Sequence, residues 1–161
     1  STGAGLALNI AARAKNLSGV FAIAAHLRLQ DLGARFASTL DAWNNLMDKI
    51  GKGIAKKEFV NNTPENPHIN YFRNPISGVS EIEKLMESLY PLLENITVPA
   101  LIVQSENDPV VNPKGSRKIF KRLGSVDKKY TLFNFDRHGI LLGDGADRVY
   151  RTIAEFIDHL K

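Results

Sequence analysis

The sequence predicts an α/β fold built on a parallel sheet. Short apolar runs at Leu17–Ala25, Pro99–Gln104 and Lys129–Phe135 have the length and composition of buried strands. Segments with helical spacing are interleaved with them, and strand–helix alternation with right-handed crossovers makes neighbouring strands parallel. Each apolar run also ends at a residue able to do chemistry: His26, Asp108 and His138. Open α/β sheets gather their reactive groups at the carboxyl ends of strands.

Along the chain, Ala4, Leu6, Ala7, Leu8, Ile10, Ala11, Ala12 and Ala14 make an almost uniformly apolar helix, which is buried, and its alanines permit close approach to a sheet. The first strand centres on Val20, Phe21 and Ile23. From Arg28 to about Tyr90 the character changes. Leu29, Leu32, Phe36, Leu40, Trp43, Leu46, Met47 and Ile50 recur at helical spacing, closed by Gly51 and Gly53. Trp43 and Phe36 read as the packing of a small helical insertion. Asn61–Pro75 is polar and punctuated by prolines, hence loop. Its Asn66–Tyr71 part reads as a structural loop, with a wall of the site entrance as the alternative. Ser80 and Glu83 have the spacing of a capping box opening an amphipathic helix through Ile82, Leu85, Met86 and Leu89. Beyond the second strand, Ser105–Pro109 is a turn and Pro113–Leu123 a helix stopped by Gly124. Beyond the third, Asp136–Gly139 is an exit loop, and Ala146–Leu160 is the last helix, with Val149, Ile153, Phe156, Ile157 and Leu160 on one face.

Composition removes several function classes. The chain has 161 residues, 43% apolar and 24% charged, which is a globular and not a disordered composition. No apolar run reaches the length of a membrane-spanning helix. There is no cysteine, so neither disulfides nor thiolate chemistry arise, and the four histidines form no cluster suited to a metal. Neither metal nor organic cofactor is expected. The formal charge of +4 comes mostly from bases interleaved with acids along helices, and nothing resembles a nucleic-acid module. The basic segment Lys49–Lys57 reads as a solvated face, with a steering surface for anionic substrates, lipid head groups or a carrier protein as the alternative. Lack of cysteine and of a visible signal favours the cytoplasm, an expectation limited by a start that lies inside the fold.

Ser1, Asp108 and His138 stand out as a set. Serine, acid and histidine in that order, each at a strand–helix junction, are the parts of a nucleophilic triad. His138 would take the proton of Ser1, Asp108 would orient and charge the imidazole, and the serine oxygen would attack an acyl carbon. The backbone N–H of Thr2 would hold part of the oxyanion at a helix N-terminus. Taken singly, each residue has a plainer reading as a cap, a turn residue or a loop histidine. Asp136 and Glu106 are alternative acids, each two residues from a proposed partner. His26 is either a substrate contact or a structural residue, and His159 sits in the last helical turn, away from any chemistry.

Val98–Gln104 with Asn107-Asp108-Pro109-Val110-Val111 after it resembles the penultimate strand and acid loop of α/β-hydrolases, in the serine esterase, monoacylglycerol lipase and lysophospholipase-like group. Pro113–Ser116 and the Asp136–Gly139 loop are similar to the segments downstream of the acid loop in that group. Ser1-Thr2-Gly3 matches the S-x-G half of the G-x-S-x-G elbow. The resemblance covers residues 1–27 and 91–161 and makes 28–90 a helical cap. It implies a carboxylic ester hydrolase acting on a small ester or thioester, with a serine where some branches of the fold carry an aspartate. It also departs from the pattern: the glycine before the serine, the earlier strands and the second oxyanion N–H are absent. Only three strands can be counted, and so narrow a parallel sheet seldom stands alone. The expectation is therefore a C-terminal portion of a longer hydrolase, inactive by itself, whose partner is the N-terminal half of the same fold. A non-catalytic partner or interaction module with this fold is the alternative. An N-terminal-nucleophile hydrolase fits the alternation poorly.

Overall fold

The computed structural model describes residues 1–27, 37–51, 56–61, 68 and 71–161. Its elements are α1 (Thr2–Ala11), β1 (Val20–Ile23), α2 (Ala37–Lys49), β2 (Phe59–Asn61), β3 (Arg73–Pro75), α3 (Ile76–Leu89), a 3₁₀ segment (Tyr90–Asn95), β4 (Ala100–Ser105), α4 (Pro113–Arg122), β5 (Lys128–Phe133) and α5 (Ala146–His159). The main sheet has the order β1-β4-β5 and both pairings are parallel.

Strand β4 is central and buried along its whole length, which is why it reads as a continuous apolar run. Its side chains divide by parity. Ala100 and Ile102 join the larger core with Leu8, Met86, Leu89, Leu93 and Ile119, so α1, α3, the 3₁₀ segment and α4 cover that face. Leu101 and Val103 point the other way, into a second core with Phe135, Ile140, Val149 and Phe156. Helix α5 covers this face. The sheet is thus layered on both sides by helices, and its carboxyl edge is left to the loops after β1, β4 and β5. The outer edge of β1 pairs with no other strand among the described residues.

Several boundaries differ from the expectation. The first strand is confined to Val20–Ile23, because Ala24 turns into the left-handed region at φ 52°. Leu29 and Phe36, which open the expected helical pattern, lie outside the described residues, and α2 is described from Ala37 on. The polar stretch expected to be loop contains β3 and the last residue of β2, which form a short antiparallel pair closed over Val60. The expected capping box at Ser80 is absent: α3 starts at Ile76 with Pro75 as N-cap, and Ser80 is buried inside the helix with no partner for its hydroxyl among the described residues. Burial of Ile76 and its N–H bond to the Glu58 carbonyl hold the chain in helix a full turn earlier than the polar pair suggests. The end of α3 packs on α1, where Met86 occupies the space that a side chain at Gly5 would fill.

Candidate active site

The acid loop leaves β4 directly. Asp108 is 3% exposed, and its position is set by backbone and side-chain donors together. Its Oδ1 accepts the N–H groups of Val110 and Val111, each at 2.8 Å. Its Oδ2 accepts from Gln104 Nε2 at 3.0 Å and lies 2.8 Å from Nδ1 of His138. Burial opposes ionisation of this carboxyl, but the hydrogen bonds from His138, Val111 and Val110 and the field of His138 overcome it, and its pKa falls below the ordinary value. A carboxylate is the form that receives four donors.

His138 comes from the loop after β5, thirty residues downstream of Asp108. The loop is anchored by Ile140, whose side chain is buried and whose N–H bonds to the His138 carbonyl. Phe135 anchors its start, stacked on Phe133 and flanked by the guanidinium groups of Arg137 and Arg148. The two loops are also tied directly. Ser105 Oγ donates to the Phe135 carbonyl at 2.6 Å, and the Asn107 N–H donates to the same carbonyl at 3.1 Å. Asn107 Nδ2 reaches Asp136 Oδ1 at 2.7 Å. Asp136 is therefore engaged in the loop-to-loop tie, Glu106 is exposed, and Asp108 is the acid that meets the histidine.

Ser1 sits at the carboxyl end of β1, its nitrogen donating to the Ile23 carbonyl at 2.7 Å. Its own carbonyl accepts from Ala4 at 2.9 Å and from Gly5 at 3.4 Å, so α1 begins on it. Helix geometry leaves the N–H groups of Thr2 and Gly3 without intrahelical acceptors at the same end. An apolar groove of about 530 Å³ runs from Ser1 along α1 and the outer edge of β1. A second cleft, about 650 Å³, lies between Met86 and Tyr90 on one side and Asn112, Lys114 and Lys118 on the other.

His26 closes the end of β1. It is 2% exposed, and neither ring nitrogen has a hydrogen-bond partner among the described residues. Burial foremost, and the charge of His138, push its pKa down to about 4, against the opposing pull of Asp108. It is a neutral imidazole beside the Asp108–His138 pair. His159, by contrast, is on the surface, 2.8 Å from Asp127. Among the described residues no group of three or more His, Asp or Glu could hold a metal ion, and no helix is long and apolar enough to cross a membrane.

Sequence reasoning misses Gln104 and Asn107. Gln104 carries a signal, since a polar side chain in a strand buried on both faces needs a buried partner. Asn107 carries none beyond the common use of asparagine in turns.

The sequence profile of the serine aminopeptidase S33 family matches residues 1–144. The chain belongs to that family, within the α/β-hydrolases. A thermostable monoacylglycerol lipase from Bacillus sp. (strain H-257) is 25% identical over 110 residues, which are 68% of this chain and 41% of the lipase. Among solved structures, a metagenome-derived lipolytic enzyme superposes with a TM-score of 0.77 at 19% identity, covering 99% of this chain and 63% of the other. The monoacylglycerol lipase of Paleococcus ferrophilus gives 0.76 at 19% identity, covering 100% and 66%. The chain thus spans about two-fifths of the lipase it matches by sequence and under two-thirds of these two structural neighbours.

Proposed function

We propose that the protein is a serine hydrolase of carboxylic esters, using Ser1 as nucleophile, His138 as general base and then acid, and Asp108 as the orienting carboxylate. The observation that carries this reading is the 2.8 Å contact between His138 Nδ1 and a buried, ionised Asp108 at the sheet edge where α1 starts on Ser1. Asp108 holds the proton of the imidazole on Nδ1, which leaves Nε2 deprotonated and able to accept a proton from the serine hydroxyl. Attack of the serine oxygen on the acyl carbon forms a tetrahedral oxyanion, and in this reading the Thr2 N–H at the start of α1 stabilises it. Collapse returns the proton through His138 to the leaving alcohol, and water repeats the cycle on the acyl-enzyme.

In this reading residues 28–90 form the cap, and residues 1–27 with 91–161 belong to the hydrolase core. The related lipases favour a small ester with one acyl chain, and thioesters are the chemically adjacent class. The outer edge of β1 accommodates further strands of the same fold. That edge, with exposed Phe21, Leu6 and Ile10 beside it, also favours a second reading, in which the chain is a non-catalytic module that pairs with another protein.

A fluorophosphonate probe separates the two readings. The whole protein is labelled, and Ser1→Ala abolishes labelling. His138→Ala lowers hydrolysis of short p-nitrophenyl esters by roughly 10⁴-fold. Labelling that survives Ser1→Ala undiminished removes the nucleophile assignment, and a folded protein with neither labelling nor hydrolysis supports the non-catalytic module.

A further inference from the structure

Gln104 lies near the end of the central strand, and its side chain is completely buried. Its Nε2 donates to Asp108 Oδ2 at 3.0 Å and to the Ser105 carbonyl at 3.2 Å. Both neighbours are acceptors, which fixes the orientation of the amide, because the opposite one would set an amide oxygen against a carboxylate. The cost is a buried Oε1 with no partner among the described residues. An apolar side chain of similar volume would fill this place without leaving an orphan, so packing alone does not account for a glutamine here.

The oxygen that Gln104 touches is the one that meets His138, whereas the backbone donors of Val110 and Val111 occupy the other. Two donors therefore share Oδ2. We propose that Gln104 is a positioning residue of the acid–base pair: its amide locks the Asp108 carboxylate in line with His138 and draws charge from the shared oxygen, which limits how strongly the carboxylate holds the imidazole as a cation. The inference rests on the triad reading above. Among the described residues, His26 faces the pair from the β1 side. On the loops, Asp136 is turned to Asn107. Gln104 is a neutral side chain that donates to the carboxylate from within the sheet.

The test uses Gln104→Leu and Gln104→Glu in the whole protein, with two readouts: the acid limb of kcat/KM against pH, and the NMR shift of the His138 Nδ1 proton. Gln104→Leu removes the amide donor from Oδ2. The acid limb moves to higher pH by several tenths of a unit to about one unit, the Nδ1 proton moves downfield, kcat falls roughly tenfold, and KM is unchanged. In Gln104→Glu the new carboxyl, buried beside Asp108, keeps its proton and donates it in place of the amide, so both readouts return toward wild type. If Gln104→Leu does not fold, Gln104→Met carries the same expectation. Readouts unmoved in the apolar variants, or moved equally in Gln104→Glu, overturn the proposal. The Nδ1 shift needs no turnover, so a wild-type protein that hydrolyses no ester defeats the proposed function while the NMR arm still decides the role of Gln104.

Discussion

Asn107 and Asp136 face each other across the gap between the acid loop and the histidine loop, with amide nitrogen and carboxylate oxygen 2.7 Å apart. Each is the immediate or next-but-one neighbour in sequence of a member of the Asp108–His138 pair. The bond is exposed, so it contributes little to global stability, about 1 kcal/mol or less. Its consequence is geometric. Catalytic distances tolerate shifts of well under an ångström, and a loosened tie between the loops spreads the Asp108–His138 separation.

Asp136→Ala is therefore expected to lower kcat/KM for p-nitrophenyl esters about tenfold while the thermal midpoint changes little. Asn107→Ala does the same, and the double variant is no worse than either single one, because both remove one bond. Additive losses in this cycle would show that the two side chains act separately.

Asp108→Asn tests the acid itself. The asparagine amide presents a donor where His138 Nδ1–H needs an acceptor, which drives the imidazole to the wrong tautomer. The fold survives, since Val110 and Val111 still find an acceptor oxygen, and kcat falls by roughly 10⁴-fold. Steady-state kinetics on the folded variant check this. A loss of tenfold or less would hand the acid role to another residue, and Asp136 would be the first to examine.

The parts of this arrangement legible in the sequence are those with long or local signatures. The buried run Ala100–Ser105 announces a central strand, and the order Ser1, Asp108, His138 anticipates two residues that the fold brings into hydrogen-bond contact across thirty positions. The helix start at Ile76 is not legible, because the burial of Ile76 and its bond to Glu58 outweigh a good capping pattern at Ser80 and Glu83. The pairing of β2 with β3 is hidden for a related reason: three residues on each strand carry too little periodicity to rise above a proline-rich stretch. Gln104 is announced only as a polar residue in a buried strand, without its partner, and the Asn107–Asp136 tie is a tertiary fact, visible only when the histidine loop is present.

Two glycines separate tight backbone approach from tight side-chain approach. A Cβ at Gly124 would lie 2.0 Å from the Glu94 carbonyl oxygen, and a main chain cannot step aside without disturbing the 3₁₀ segment. A Cβ at Gly5 would lie 2.2 Å from the terminal methyl of Met86, which can rotate away. Gly124→Ala is expected to destabilise by about 2–3 kcal/mol. Gly5→Ala falls within about 1 kcal/mol of neutral, the displaced Met86 being offset by the better helix propensity of alanine. Urea unfolding of both variants checks the contrast, and equal losses would mean that Met86 is as immobile as the backbone.

His26 makes stability fall on mild acidification. Burial foremost, and the charge of His138, lower its pKa from 6.5 to about 4, so between these values the unfolded chain binds a proton that the folded one refuses. Stability therefore rises with pH in that window. The contribution of His26 is complete above about pH 6.5, shrinks as the pH drops toward 4, and reaches a total loss of roughly 3 kcal/mol below it. Asp108 acts in a lower window: its folded pKa is below 3.8, so the stability it confers is present above that value and is lost on further acidification. Urea unfolding at pH 7, 5.5 and 4 should show a clear decline in the wild type. His26→Phe should flatten the decline between pH 6.5 and 4. An unchanged slope in His26→Phe would mean that the imidazole gains a proton in the folded protein as easily as in the unfolded one, and that its buried nitrogens are hydrated.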